Sequence, residues 1–150
     1  NVYVKIPVIN SKGIFMGKII KELNRQNIKL NITAVYNSHQ TKKIVKCLNK
    51  RSKVIISIFA GRAGDTGIDP IPEFKKSISM CKSYKNIEIL WASVREPYNY
   101  LQSNQLGCHI ITVPPKIIEK IEKFGKSFSE LSIETVKGFL LDSKKSKFKI

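Results

Sequence analysis

The chain has 150 residues, 42% of them hydrophobic, with 27 basic against 11 acidic side chains and a net charge of +16. That apolar content excludes a disordered chain and suits one domain or a large piece of one, and no apolar run is long enough to span a bilayer or to read as a signal peptide. The cysteines Cys47, Cys81 and Cys108 are widely spaced and form no CxxC pair, so neither a zinc site nor a disulfide framework is indicated, and a reducing cytoplasm is the expected compartment.

Short β-like runs alternate with amphipathic helical stretches. Val2 to Ile6 reads as the first strand, and Met16, Ile19, Ile20 and Leu23 mark the apolar face of the next helix. Leu30 to Tyr36 is the second strand, followed by a helix marked by Ile44, Val45 and Leu48. Val54 to Phe59 is a third, nearly continuous apolar run. After a glycine-rich loop, Asp69 and Pro70 read as N-cap and first residue of a helix with the stripe Ile71, Phe74, Ile78 and Cys81. Ile87 to Ala92 is the fourth strand, and Pro97 opens a short helix containing Tyr98, Tyr100 and Leu101. Cys108 to Val113 is the fifth, stopped by Pro114 and Pro115. Ile117, Ile118, Ile121 and Phe124 pattern another helix. Ser132 is the expected cap of a last one bearing Ile133, Val136, Phe139 and Leu140, with Lys144 to Lys149 as its solvated end.

Five βα units with apolar rather than alternating strands predict a parallel sheet buried on both faces. The fold class is α/β, either an open doubly wound sheet or a (β/α)8 TIM barrel. No GxGxxG follows the first strand and no GxxxxGK[ST] occurs, which counts against nucleotide-binding sheets. A barrel takes about 200 residues or more. Residues 1–150 would then be the C-terminal part of one barrel domain, its fourth to eighth units plus a terminal helix.

In a barrel, chemistry gathers at the C-terminal strand ends. There the chain offers Lys5, then Asn31 and Thr33, then Ser57 and Phe59-Ala60-Gly61-Arg62, then Ser93 and Arg95, and Thr112. A lysine between apolar neighbours is expected to be desolvated, its pKa driven down until the free amine can attack a carbonyl. Two arginines on adjacent strand ends suit a phosphate, which their planar forks grip with paired hydrogen bonds. Each residue also has a plainer role: Lys5 can snorkel from an edge strand, Arg95 can pair with Glu96, and Asp65 and Asp69 can shape a loop. His39 and His109 read as structural, Trp91 and Met80 as core, and no metal site is expected. The lysines are scattered over every predicted helix, so coding bias toward Lys, Asn and Ile explains the charge better than a nucleic-acid footprint does.

Val4-Lys5-Ile6-Pro7-Val8, Asn31-Ile32-Thr33-Ala34, Phe59-Ala60-Gly61-Arg62 with Asp65, and Ala92-Ser93-Val94-Arg95 occur in this order. Together they resemble the transaldolase family, which includes the fructose-6-phosphate aldolases. The resemblance implies a class I aldolase barrel in which Lys5 forms a Schiff base with a ketose phosphate, with Thr33 and Ser57 as hydroxyl partners and Asn31 beside them. Arg62, Arg95 and Ser93 match its phosphate positions. The protonated imine is the electron sink, so no metal or organic cofactor is implied. Phe59 stands where the aldolases carry tyrosine, which favours transfer of the dihydroxyacetone unit over its release. Ile9 replaces a usual threonine, and the family's acid–base aspartate lies on a first strand that these residues do not contain, so the 150 residues alone are expected to be inactive. Sugar phosphates are the implied partners, with no membrane and no nucleic acid, and a homo-oligomer is expected.

Overall fold

The computed structural model describes residues 2–146. The elements in chain order are β1 (Val4–Pro7), α1 (Gly17–Arg25), β2 (Leu30–Val35), α2 (Ser38–Val45), β3 (Val54–Phe59), α3 (Ala60–Gly64), α4 (Ile71–Cys81), β4 (Ile87–Ala92), α5 (Tyr98–Leu106), β5 (Ile110–Ile111), α6 (Pro115–Ile121) and α7 (Phe128–Ser146). All strands pair in parallel in the order β1-β2-β3-β4-β5. A doubly wound sheet reverses its order at a switch point. This one does not reverse, and five units running in sequence are an arc of a (β/α)8 wall.

Alternation along the strands builds two faces. Ile32, Ile56, Ile58, Ile89 and Trp91 meet Ile20 of α1, Ile44 of α2 and Phe74 of α4 in the main core. Phe74 and Trp91 stack there with ring centroids 4.5 Å apart. On the opposite face, which a barrel turns inward, Ile55, Leu90 and Ala92 form a smaller cluster flanked by Tyr3, Phe59 and Ile110. Burial on both faces therefore holds for β3, the middle strand, and fails for β1, which is largely exposed.

Several expected boundaries shift. The first strand is Val4–Pro7, not Val2 to Ile6, and Tyr36 falls outside β2. Ile19 is exposed, and Leu48 lies beyond α2. The fifth strand keeps only Ile110–Ile111, because the His109 ring takes over part of the ladder. The Ile89 N–H donates to His109 Nδ1 at 3.1 Å while His109 N–H donates to the Ile89 carbonyl. Met80 is half-buried rather than core. Helix α7 begins four residues before Ser132, at a capping box in which Ser127 and Glu130 exchange hydrogen bonds. Its apolar positions Ile133, Val136, Phe139 and Leu140 are exposed, and none of its residues is buried. The expected tail residues Lys147 and Lys149 lie outside the described residues.

Two polar devices hold the units in register. At the N-terminal end of the sheet, Asn24 Oδ1 accepts from Asn49 N–H at 2.6 Å, and Asn86 Nδ2 donates to the carbonyls of Asn49 and Ser52. At the other end, α2 starts with a capping box between Asn37 and Gln40, and the free Ser38 N–H donates to Glu73 Oε2 of α4 at 2.5 Å. Deeper in the same seam Thr41 and Ser77 share a buried hydrogen bond of 2.9 Å.

The Ser38 backbone N–H, then the Ser38 hydroxyl and Lys76, lower the Glu73 pKa from its ordinary 4.5 to about 2. A depressed carboxylate stabilises the fold fully above its unfolded pKa and loses that contribution as pH falls through the folded value. Glu73→Gln is expected to cost about 1–2 kcal/mol at pH 7 and to flatten the loss of stability between about pH 4.5 and 2, measured by urea unfolding across that range.

Candidate active site at the C-terminal strand ends

Because the strands are parallel, their C-terminal ends share one rim. Lys5 and Asn31 are not on it: they are register partners at the second residue of β1 and β2, level with Ile55 and Glu88 near the start of β3 and β4. Asn31 Oδ1 accepts from Ser57 Oγ on β3 at 2.7 Å. Thr33 Oγ1 is buried and has no hydrogen-bond partner among the described residues. Between Ile32 and Val35 the β2–β3 register slips, and Ala34 takes a φ of 58°. Such left-handed backbone on a non-glycine residue is costly and concentrates at functional sites.

Lys5 corrects the desolvation argument. The residue is exposed, because β1 is an edge of the described sheet and pairs with β2 alone. Its apolar neighbours Val4 and Ile6 belong to the opposite face by alternation. Their presence in the sequence therefore says nothing about the solvation of the amine.

The phosphate-type residues come together. Arg62 of α3 and Arg95 after β4 line one cleft of ≈ 760 Å³ with Tyr36, Asn37, Asp65 and Glu73. The Arg62 guanidinium lies 5.6 Å from the Phe59 ring centroid, a cation–π contact, and no carboxylate pairs with it among the described residues. Arg95 does not pair with Glu96. Its Nε donates to Asp65 at 3.1 and 3.0 Å and its Nη2 at 2.7 Å, a side-on bidentate pair. That bond, reinforced by the charges of Arg95 and Arg62, holds the Asp65 carboxyl below the ordinary carboxylate range. Asp65 is thus more than a loop former. Asp69 fills that role by accepting from Ile71 N–H at 2.9 Å. Lys5, Asn31, Ser57 and Ser93 do not line this cleft.

Ser93 acts through its backbone. It has φ 66°, which turns its carbonyl toward Gly61. A Cβ on Gly61 would lie 1.8 Å from the Ser93 oxygen and 2.7 Å from Arg95 Cγ. Only glycine lets α3 begin this close to the end of β4.

Burial pushes the Cys81 thiol up to about 11 and the Cys108 thiol up to about 12, and raises Cys47 as well. Raised thiol pKa values disfavour the thiolate, the nucleophilic form of cysteine, at neutral pH.

A family model described as transaldolase/fructose-6-phosphate aldolase matches residues 1–150, and the chain belongs to that family. A probable transaldolase of Herpetosiphon aurantiacus is 31% identical over 143 residues, covering 95% of this chain and 59% of its own length. One from Caldicellulosiruptor saccharolyticus is 30% identical, covering 89% and 58%. An archaeal one, from Methanococcus vannielii, is 27% identical, also covering 89% and 58%. The chain thus spans about three fifths of the length of these curated relatives.

Gly61→Ala is expected to cost about 3 kcal/mol, since backbone must move to admit the methyl. Gly64→Ala, on the same short helix with open space around it, should be neutral or stabilising by about 0.5–1 kcal/mol. Equal effects of the two in denaturant titrations would refute the close-approach argument.

Proposed function

We propose that the protein is a transaldolase that carries a dihydroxyacetone unit from a ketose phosphate to an aldose phosphate on Lys5. The observation that supports this most directly is the polar run across the inward face of three neighbouring strands, Lys5 beside Asn31 and Asn31 bonded to Ser57, with the two-arginine cleft beyond the C-terminal ends of the same sheet. In this reading the Lys5 amine adds to the ketone carbon and water leaves, giving a protonated imine. A base removes the proton of the C4 hydroxyl, the C3–C4 bond breaks into the imine, and an aldose phosphate departs. The enamine carbon then attacks the acceptor aldehyde, and water releases the new ketose.

Asn31 and Ser57 present an amide and a hydroxyl beside the amine, Thr33 adds a hydroxyl from the same strand as Asn31, and Arg62 and Arg95 bind the terminal phosphate, with the Ser93 backbone fixing the turn that carries Arg95. Phe59 carries no hydroxyl to help release free dihydroxyacetone, and its ring faces Arg62 instead. The proposal extends to the whole barrel of which residues 1–150 would be the C-terminal part. Strands matching the relatives' additional length would supply the acid–base group and shield the amine that is exposed here. Pentose phosphate metabolism belongs to the same proposal, as does self-association, which the bare apolar residues of α7 support.

Borohydride reduction of the protein with fructose 6-phosphate should add a three- or six-carbon fragment to Lys5, located by peptide mass spectrometry. Lys5→Ala should abolish both the adduct and at least about 10³-fold of turnover. An adduct on another lysine, or none, overturns the assignment. Free dihydroxyacetone formed without an acceptor aldehyde would move the protein to the aldolase side of the family.

A further inference from the structure

Arg95 is held at three points before any ligand is present. Its stem crosses Gly61, in the space a side chain there would fill. Its backbone N–H donates to Asn99 Oδ1 at 2.9 Å. Its Nε and Nη2 are both engaged by the Asp65 carboxylate. A guanidinium carries five donors. The side-on pair with Asp65 occupies one edge and leaves Nη1 and the outer hydrogen of Nη2 available. Arg62 has no such anchor. It rests on the Phe59 ring; both arginines, like Asp65, are exposed, and the carboxylate pairing of Arg95 is what sets them apart.

We infer that Asp65 is a positioning residue for phosphate recognition, fixing Arg95 so that its free edge meets the phosphate of the substrate while Arg62 closes from the side. This rests on the phosphate reading above and adds the residue that organises it. Asp65 is an anion in an anion-binding cleft, and its removal raises the local charge by one, which by itself tightens phosphate binding. A long side chain left free must be ordered at binding, which weakens it. The two effects have opposite signs, so the measurement decides between them.

The test titrates inorganic phosphate, fructose 6-phosphate and unphosphorylated fructose into the protein and into Asp65→Asn, with calorimetry for affinity and the arginine Nε–H resonances for location. Asp65→Asn is expected to weaken inorganic phosphate and fructose 6-phosphate about tenfold and to leave fructose unchanged. In an Arg95→Lys background, which has no fork to orient, Asp65→Asn should change phosphate affinity less than twofold. In the unaltered protein the Arg95 Nε–H signal should be as protected with phosphate bound as without it. Unchanged or tighter phosphate binding by Asp65→Asn overturns the inference while leaving the phosphate cleft intact. Loss of the Arg95–Asp65 signature on phosphate binding also overturns it, because the carboxylate would then be a competitor. If phosphate perturbs neither Arg62 nor Arg95 in the unaltered protein, the cleft itself is misassigned and the inference falls with it. Near-UV dichroism of Trp91, stacked in the core, reports that each variant is folded.

Discussion

The backbone of β3 leaves the sheet through a passage barely wider than the chain. It turns into α3 against the carbonyl with which Ser93 ends β4, and the absence of a side chain on Gly61 makes the turn possible. The geometry of the two-arginine cleft hangs on that contact. The Arg95 stem crosses the same gap, Asp65 sits one helical turn beyond it, and Arg62 follows Gly61 directly. The left-handed backbone at Ser93 is the other half of the same fit. Two strand ends locked together at backbone level hold their side chains more precisely than flexible loops could.

The parallel strands could be read from the sequence because β-branched residues fill them almost without interruption, and a strand flanked by strands needs apolar groups on both sides. That signal carries no information about which strand is an edge. Lys5 between Val4 and Ile6 reads as buried from its neighbours, yet solvation is decided by what lies across the sheet. The Arg95–Asp65 pair was hidden for a related reason, since the partners are 30 residues apart and Glu96 is the adjacent acid. His109 entered the β4–β5 ladder through its ring, which no strand pattern anticipates. For α7, the apolar stripe is plain in sequence and its start is moved by the Ser127–Glu130 box, a local signal that Ser132 obscured. Of the candidate residues, Arg62 and Arg95 meet because parallel strands place their C-terminal ends together, whereas Lys5 and Asn31 lie near the start of their strands, a depth that strand boundaries read from sequence do not fix.

The charge excess has a structural counterpart. Lys29, Lys43 and Lys50 lie over Tyr3, Phe15 and Tyr84 respectively, on three separate parts of the surface, and long lysine stems cover apolar rings in this way. Asparagine does structural work at the N-terminal end of the sheet through Asn24, Asn49 and Asn86. The basic side chains are thus spread over the surface rather than gathered into one stripe.

Glu73 joins the helix seam to the chemistry of the rim. Its carboxylate is seated on the first N–H of α2 and at the same time forms part of the wall facing Arg62 and Arg95. A bare helix start there would be an open berth for an anion. Glu73 occupies it from within the chain, so the carboxylate that ties α2 to α4 also sets a fixed negative charge opposite the two guanidinium groups.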